Sequence, residues 1–170
     1  MRFFDLVSES DTSLEGLAHR LGYKKIFVVG KDVQIIQDLR NESKSKKIVS
    51  SESSEVLTKA LKSNEVIGVL PKGEAVSRKT LDMIKVYEKV LLLPFAPITC
   101  ANPESRIHKL AKMRSVVKNA LRARVPICIV SLAENKEGLM STAQMVEVAN
   151  FFGMEKDNAK KALNVLGGLL

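Results

Sequence analysis

Residues 90–106, VLLLPFAPITCANPESR, combine a buried-strand pattern with the strongest helix-start signal in the chain. Val90–Phe95 is an apolar run interrupted and followed by proline, which is typical of a strand inside a sheet that is covered on both faces. Asn102 is a favoured N-cap residue, Pro103 fits the first helical position, and Glu104 complements the helix dipole. The stretch therefore predicts a buried strand that leads into a helix.

The predicted helix runs to about Arg124, where Val125-Pro126 ends it and a short apolar strand follows. Similar pairs of elements precede it. The predicted strands are Phe3–Leu6, Lys25–Val29, Lys47–Ser50, Val66–Leu70, Val90–Phe95 and Ile127–Val130. The other predicted helices are Ser13–Leu21, Asp32–Arg40, a helix capped by Ser53 or Ser54 that ends at Leu61, Ser77–Tyr87, Thr142–Phe152 and Asp157–Leu166.

About six strands, each leading into a helix, predict an α/β fold with a parallel sheet and helices outside it. The length of 170 residues indicates one domain, residues 1–170. A complete eight-unit barrel usually needs roughly 250 residues. The pattern alone leaves a doubly wound sheet and a reduced barrel equally open.

The composition favours a polyanionic partner. Lys and Arg number 27 against 19 Asp and Glu, which gives a net charge of +8. No apolar stretch approaches the ~20 residues of a membrane span. Cys100 and Cys128 lack metal-type spacing, so we expect reduced thiols and a cytoplasmic protein. Only 5% of residues are aromatic and none is Trp, so we do not expect an aromatic platform for stacking bases.

Signatures of catalysis are missing from the sequence. It contains no Gly-rich nucleotide-binding loop and no Gly-x-Ser-x-Gly elbow. His19 and His108 are isolated on predicted helices, whereas metal sites need clustered ligands. Asp5, near the end of the first strand, either orients a ligand or a general base, or is a buried acid paired with a Lys or Arg.

The helix after Asn102 carries most of the candidate RNA-binding residues. No acid follows Glu104 until Glu134, so its outer face is a solvated basic surface or a surface that contacts phosphates. We expect Ile107, Leu110, Val117 and Leu121 to form its buried stripe. The candidates on this helix are Arg106, Lys109, Lys112, Arg114, Lys118, Arg122 and Arg124.

Two of these arginines occupy special positions. Arg106 lies in the first turn, where a cation opposes the helix dipole, so we expect it to meet an anion or Asp5. Arg114 projects into the predicted apolar stripe, which indicates a buried ion pair. Three lysines follow predicted strands, and with Arg106 they would surround one end of the sheet, where they could hold phosphates. These lysines are Lys31, Lys72 and Lys136.

Several motifs in the second half of the chain recur in one known family. They are PITCANPESR at 97–106, Val-Pro at 125–126, VSLA at 130–133, Gly-Met at 153–154 and the Ala159 to Leu163 spacing. The order and spacing resemble protein component 3 of archaeal ribonuclease P, a family with a eukaryotic counterpart. Residues 4–6 and 21–23 also look like the family's start. The match is continuous from about Val90, and patchy between Lys31 and Lys85, where one strand and helix of the family are missing.

The resemblance implies a reduced TIM-barrel-like fold related to the polymerase-and-histidinol-phosphatase metalloenzymes. Those enzymes have Asp-Leu-His-x-His after the first strand. Here Asp5 and Leu6 persist, but Val7 and Glu9 replace the histidines. The resemblance therefore implies that this chain holds no metal or other cofactor.

The family supports a catalytic RNA that removes the 5′ leader of precursor tRNA, with Mg²⁺ held by the RNA. By resemblance, this chain would be non-catalytic, would bind ribonuclease P RNA through basic residues such as Arg106, and would contact precursor tRNA indirectly. It would pair with protein component 2. One departure is Met140-Ser141-Thr142, where many members have Arg-x-Pro, so a family RNA contact is expected to be lost there.

Two other hypotheses remain open from the sequence. One is a small phosphate-binding β/α-barrel enzyme that uses Asp5 as a base, with Lys72 and Arg106 as phosphate clamps. The other is a scaffold that binds only proteins. Turnover by the isolated protein would favour the first, and tight partner binding without RNA affinity would favour the second.

Overall fold

The computed structural model describes residues 3–8, 12–37, 45–71 and 76–170. Its strands are β1 (Phe3–Val7), β2 (Tyr23–Val28), β3 (Val33–Ile36), β4 (Lys46–Val49), β5 (Val66–Val69), β6 (Val90–Pro94) and β7 (Ile127–Val130). Its helices are α1 (Thr12–Arg20), α2 (Ser54–Leu61), α3 (Arg78–Val86), α4 (Ala96–Thr99), α5 (Pro103–Ala123), α6 (Thr142–Phe151), α7 (Lys156–Asn164) and α8 (Leu166–Leu169), with a 3-10 helix at Lys136–Gly138.

The strands are all parallel and follow one another in chain order. β1 pairs with β2, and β3 to β7 form a second sheet in the order β3-β4-β5-β6-β7. A bridge between Val29 and Val33 links the two sheets at one edge. Beyond β7, the Leu132 N–H donates to the Leu6 carbonyl at 2.8 Å and links them at the other edge. The fold is α/β and reduced TIM-barrel-like, and the strands that the structure describes do not form a continuous hydrogen-bonded ladder.

Two hydrophobic layers follow from the alternation of side chains along the strands. The inner cluster takes residues from all seven strands and from α8: Leu6, Phe27, Val33, Ile48, Ile67, Val90, Leu92, Cys128, Val130 and Leu166. The intervening residues, such as Leu91 and Leu93, face outward into the core shared with α2, α3, α5, α6 and α7. Within the described residues, no helix combines the length and apolar character needed to cross a bilayer.

The predicted helix Asp32–Arg40 is wrong in its described part. The structure has strand β3 there, and residues 38–40 lie outside the described residues. Gly30 turns the chain with a φ of +87°, and the Asp32 carboxylate accepts a hydrogen bond from the Val28 N–H at 2.8 Å. The β-branched residues that follow favour an extended chain. The protein therefore has seven described strands instead of six, and β2 leads directly into β3.

The predicted buried stripe of α5 is also partly wrong. The buried residues are Val116, Val117, Ala120 and Ala123, all in the second half of the helix, whereas Ile107 is 69% exposed. Helix α5 has 21 residues and β7 has four. They measure roughly 31 Å and roughly 13 Å. Since the strand layer is shorter than the helix, the first half of α5 extends past it and lies against α4.

Candidate nucleic-acid interface

Helix α5 holds its basic side chains on one continuous element. The Asn102 carboxamide accepts a hydrogen bond from the Ser105 N–H at 2.9 Å, and Pro103 occupies the first helical position, as predicted. The helix ends at Arg124, whose left-handed φ of +55° lets its N–H reach the carbonyls of Ala120 and Leu121. Both ends of the helix are therefore fixed by local contacts.

The two cations nearest the start of α5 bind the main chain around α4. The Arg106 guanidinium donates to the carbonyls of Thr99 at 3.0 Å and Ala101 at 2.8 Å. The Lys109 ammonium donates to the Pro97 carbonyl at 3.0 Å. Carbonyls at a helix C-terminus lack intrahelical partners and attract cations. Arg106 therefore does not contact Asp5, contrary to one of the two expectations from its position.

The remaining five cations of this segment have no side-chain partner in the described part of the chain. Lys112, Arg114, Lys118, Arg122 and Arg124 are exposed, and they form no ion pair or hydrogen bond through their side chains with any residue that the structure describes. The prediction that Arg114 lies in a buried ion pair is therefore wrong, because the helix buries a different stripe. Elsewhere, ion pairs within helices α2, α3 and α7 are Glu55–Lys59, Arg78–Asp82 and Asp157–Lys160.

Three of these unpaired cations line a groove of about 680 Å³ between α5 and the end of α6. Arg114, Lys118 and Arg122 lie four residues apart, which places them on neighbouring turns about 6 Å apart along the axis. The rest of the lining consists of Ala111, Leu121, Phe152 and Gly153, with Ser115 beside the cations. We call this site, with its three cations, the α5 groove. An elongated anion with apolar parts matches this chemistry.

The structure describes three of the four cations that were predicted to surround the strand ends. Lys31, after β2, and Lys136, in the 3-10 helix, are both exposed. Lys72 lies outside the described residues. Arg106 is bound to the main chain of residues 99 and 101.

Asp5 is fully buried and joins β1 to the chain just after β7. One carboxylate oxygen accepts hydrogen bonds from the N–H groups of Leu6 at 2.8 Å and Ser131 at 2.6 Å, and the other has no hydrogen-bond partner in residues 3–8, 12–37, 45–71 and 76–170. Burial raises the pKa of Asp5 to about 6, and the hydrogen bonds from Ser131 and Leu6 oppose that shift. The expected ion pair is absent among the described residues.

Asp5 also lies away from the inner cluster. Because side chains alternate along a strand and Leu6 belongs to that cluster, Asp5 points to the outer side of β1, beneath the helices. Its side chain has no solvent-exposed surface. It is placed to hold the edge between β1 and β7, and it cannot contact a ligand in this conformation.

The described residues contain no group of three or more His, Cys, Asp or Glu side chains that could hold a metal ion. His19 lies 3.1 Å from the Tyr23 carbonyl, and His108 is exposed on α5. Both cysteines are free thiols, as predicted, and burial raises the pKa of Cys128 to about 12.

At the departure from the family motif, Ser141 caps α6 by accepting the Gln144 N–H at 3.2 Å.

One exposed aromatic residue, next in the chain to the groove residue Phe152, was not predicted from the sequence. Phe151 is 61% exposed, and the next residue, Phe152, lines the groove. A signal was present in the sequence: Met145, Ala149 and Phe152 follow the i, i+4, i+7 spacing of a buried stripe, and Phe151 falls outside it.

Comparison with known proteins gives a likeness in fold. No protein-family model matches the sequence, and no curated protein matches it. A chain in the cryo-EM structure of an archaeal ribonuclease P with mature tRNA is similar, with a TM-score of 0.68 and 16% sequence identity. The similarity covers 98% of this chain and 89% of that chain. At this identity the likeness shows that the two chains share a fold along nearly their whole length.

Proposed function

We propose that this protein is a non-catalytic subunit of archaeal ribonuclease P that binds the RNA of the enzyme through α5. The observation that carries the proposal is the row of exposed cations on α5 that have no counter-charge among the described residues. The fold likeness to a chain of an archaeal ribonuclease P supports it, as does the net charge of +8.

The proposed mechanism is charge neutralisation. An RNA fold brings phosphates together, and unpaired Lys and Arg side chains lower the resulting repulsion while releasing bound counterions. Mg²⁺ held by the RNA would supply the cleavage chemistry that removes the 5′ leader of precursor tRNA. In this mechanism the protein reduces the amount of Mg²⁺ needed to fold the RNA, and protein component 2 is its partner in the assembly.

The hypothesis of a phosphate enzyme is less well supported. It needs Asp5 as a base and Arg106 as a phosphate clamp. Asp5 is fully buried, and the guanidinium of Arg106 is bound to two main-chain carbonyls of its own chain.

The test is cleavage of precursor tRNA by a reconstituted archaeal ribonuclease P, with and without this protein and component 2, across a Mg²⁺ titration. We expect the pair to lower the Mg²⁺ concentration needed for half-maximal cleavage. Absence of any effect on cleavage, together with no binding to component 2, would reject the proposal.

A double variant links that effect to α5. Lys118→Ala/Arg122→Ala should move the Mg²⁺ requirement back toward that of the reaction without the protein. The matched control is Lys59→Ala/Arg78→Ala, which removes two cations that are already paired on α2 and α3. Equal effects of the two double variants would mean that net charge, and not the face of α5, is responsible.

A further inference from the structure

The α5 groove has two kinds of surface side by side. Arg114, Lys118 and Arg122 provide one cation on each of three successive turns. Leu121, which is 36% exposed, provides an apolar surface next to them, whereas Phe152 also lines the groove but is only 2% exposed. Phosphates satisfy the cations, but only a ligand with an apolar face gains from contact with the rest of the groove.

Phe151 precedes the lining residue Phe152 in the chain and is 61% exposed, so it adds an apolar ring next to the groove. Its ring centroid lies 5.6 Å from that of Phe152 in an edge-on arrangement, and Phe152 packs 5.9 Å from the buried Phe95. The exposed ring is thus supported by a row of rings that reaches the core. The acid one turn before it, Glu147, is paired with Lys156 at 2.7 Å, so its charge is compensated.

We propose that the α5 groove binds an unpaired segment of RNA, with successive phosphates on Arg114, Lys118 and Arg122 and one base stacked on Phe151. This inference rests on the proposed function and names the form of RNA that the site takes. Bases of a single strand are free to stack on an aromatic ring, and such contacts tolerate any base.

A double helix fits the same surface less well. Its bases are stacked inside, and its outer surface offers phosphates and 2′-hydroxyls. Those groups would pair with the three cations. They would also bring phosphates against the apolar side chains of Phe151 and Leu121, which cannot replace the hydrogen bonds to water that the phosphates lose. The sequence argued against an aromatic platform because only 5% of residues are aromatic. One supported ring beside a row of cations needs no such platform.

The first experiment compares binding of the full chain to an eight-nucleotide single strand and to a duplex of the same length, by fluorescence anisotropy over a range of salt concentrations. We expect tighter binding to the single strand. Phe151→Ala should weaken that binding by roughly 5- to 100-fold, leave binding to the duplex unchanged, and leave the salt dependence unchanged because no charge is removed. Val86→Ala, which truncates a 73%-exposed apolar residue on α3, is the matched control.

A second variant reports stacking directly. The chain has no Trp, so Phe151→Trp introduces one fluorophore at the site, and Val86→Trp places the same fluorophore on α3. Single-stranded RNA should quench the fluorescence of Phe151→Trp and leave that of Val86→Trp unchanged. Circular dichroism of both variants, compared with that of the wild type, checks that each of them is folded.

The outcomes separate this inference from the proposed function. If neither RNA binds and the protein has no effect on ribonuclease P cleavage, the proposed function fails and this inference with it. If RNA binds and Arg114→Ala/Lys118→Ala reduces the salt dependence, but Phe151→Ala binds normally or the duplex binds as tightly as the single strand, only the inference is overturned. Phe151 would then be assigned to a contact with a protein partner.

Discussion

Asp5 shows how a buried acid near the end of a strand can join two segments of the fold. Its folded-state pKa of about 6 exceeds the ordinary value of 3.8, because burial penalises the charged form more than the hydrogen bonds from the Ser131 side chain and from the N–H groups of Ser131 and Leu6 stabilise it. The folded protein therefore holds this proton more tightly than the unfolded chain does. The resulting stability is fully present below pH 3.8 and is lost as the pH rises through 6.

The expected magnitude of this loss is roughly 3 kcal/mol, since a shift of about two pKa units corresponds to about 1.36 kcal/mol per unit. Asp5→Asn keeps an oxygen for Leu6 and Ser131 but does not titrate. We expect the unfolding free energy of the wild type, relative to Asp5→Asn, to fall by that amount between pH 4 and pH 7. Urea unfolding of both proteins at several pH values measures it, and a difference that stays constant with pH would contradict the assignment.

Arg106 and Arg122 lie on the same helix but differ in what they stabilise. Arg106 donates to the carbonyls of Thr99 and Ala101, whereas Arg122 has no partner among the described residues. Arg106→Ala should lower the unfolding free energy by about 1 kcal/mol. Arg122→Ala should change it by less than about 0.5 kcal/mol. Thermal or urea unfolding compares the two, and equal losses would show that the contacts around α4 do not hold in solution.

At the scale of the element, α5 shows which features of a helix follow from the local sequence and which depend on tertiary packing. Its cap at Asn102 and its end at Arg124 depend on neighbouring residues, so the sequence predicted them. Its buried face depends on how far the strand layer extends beneath it, and that length cannot be predicted from the spacing of apolar residues in the helix. Ile107 and Val117 both fit the predicted stripe, but only Val117 lies over the core.

Truncation of these two residues tests that difference. Val117→Ala should cost about 2 kcal/mol of stability, because it removes buried methyl groups and leaves a void. Ile107→Ala should stay within about 0.5 kcal/mol of the wild type, because its side chain is mostly in water. Urea unfolding measures both changes. A large loss for Ile107→Ala would mean that the first half of α5 is covered in the isolated protein.

Strand β3 is the other element that local patterns misassigned. Val33, Ile35 and Ile36 fit a helical stripe as well as a strand, and short apolar runs often do. The turn at Gly30 and the hydrogen bond from Val28 to Asp32 fix the extended conformation. The candidate site shows the same limit. The sequence predicted the cations of α5 from their charge, but the contacts of Arg106 and Lys109 with the main chain around α4 became visible only in the tertiary structure.

At the scale of the whole molecule, strand β1 and helix α8 meet at the inner cluster. Leu166 of α8 is buried with residues from all seven strands. Next to it, Gly167 packs so closely on Phe4 of β1 that a Cβ at Gly167 would overlap the ring. The Phe4 ring in turn stacks on Phe27 with centroids 6.0 Å apart, so it cannot move without disturbing β2.

The neighbouring glycine provides a control within the same short helix. Nothing lies within 4 Å of a Cβ placed at Gly168. Gly167→Ala should lower the unfolding free energy by about 1–3 kcal/mol, because either α8 or the Phe4 ring must shift. Gly168→Ala should be neutral or stabilising by up to about 1 kcal/mol, because alanine favours the helix. If urea unfolding gave both variants the same midpoint, α8 would not be seated against β1, and the inner cluster would be open at that end.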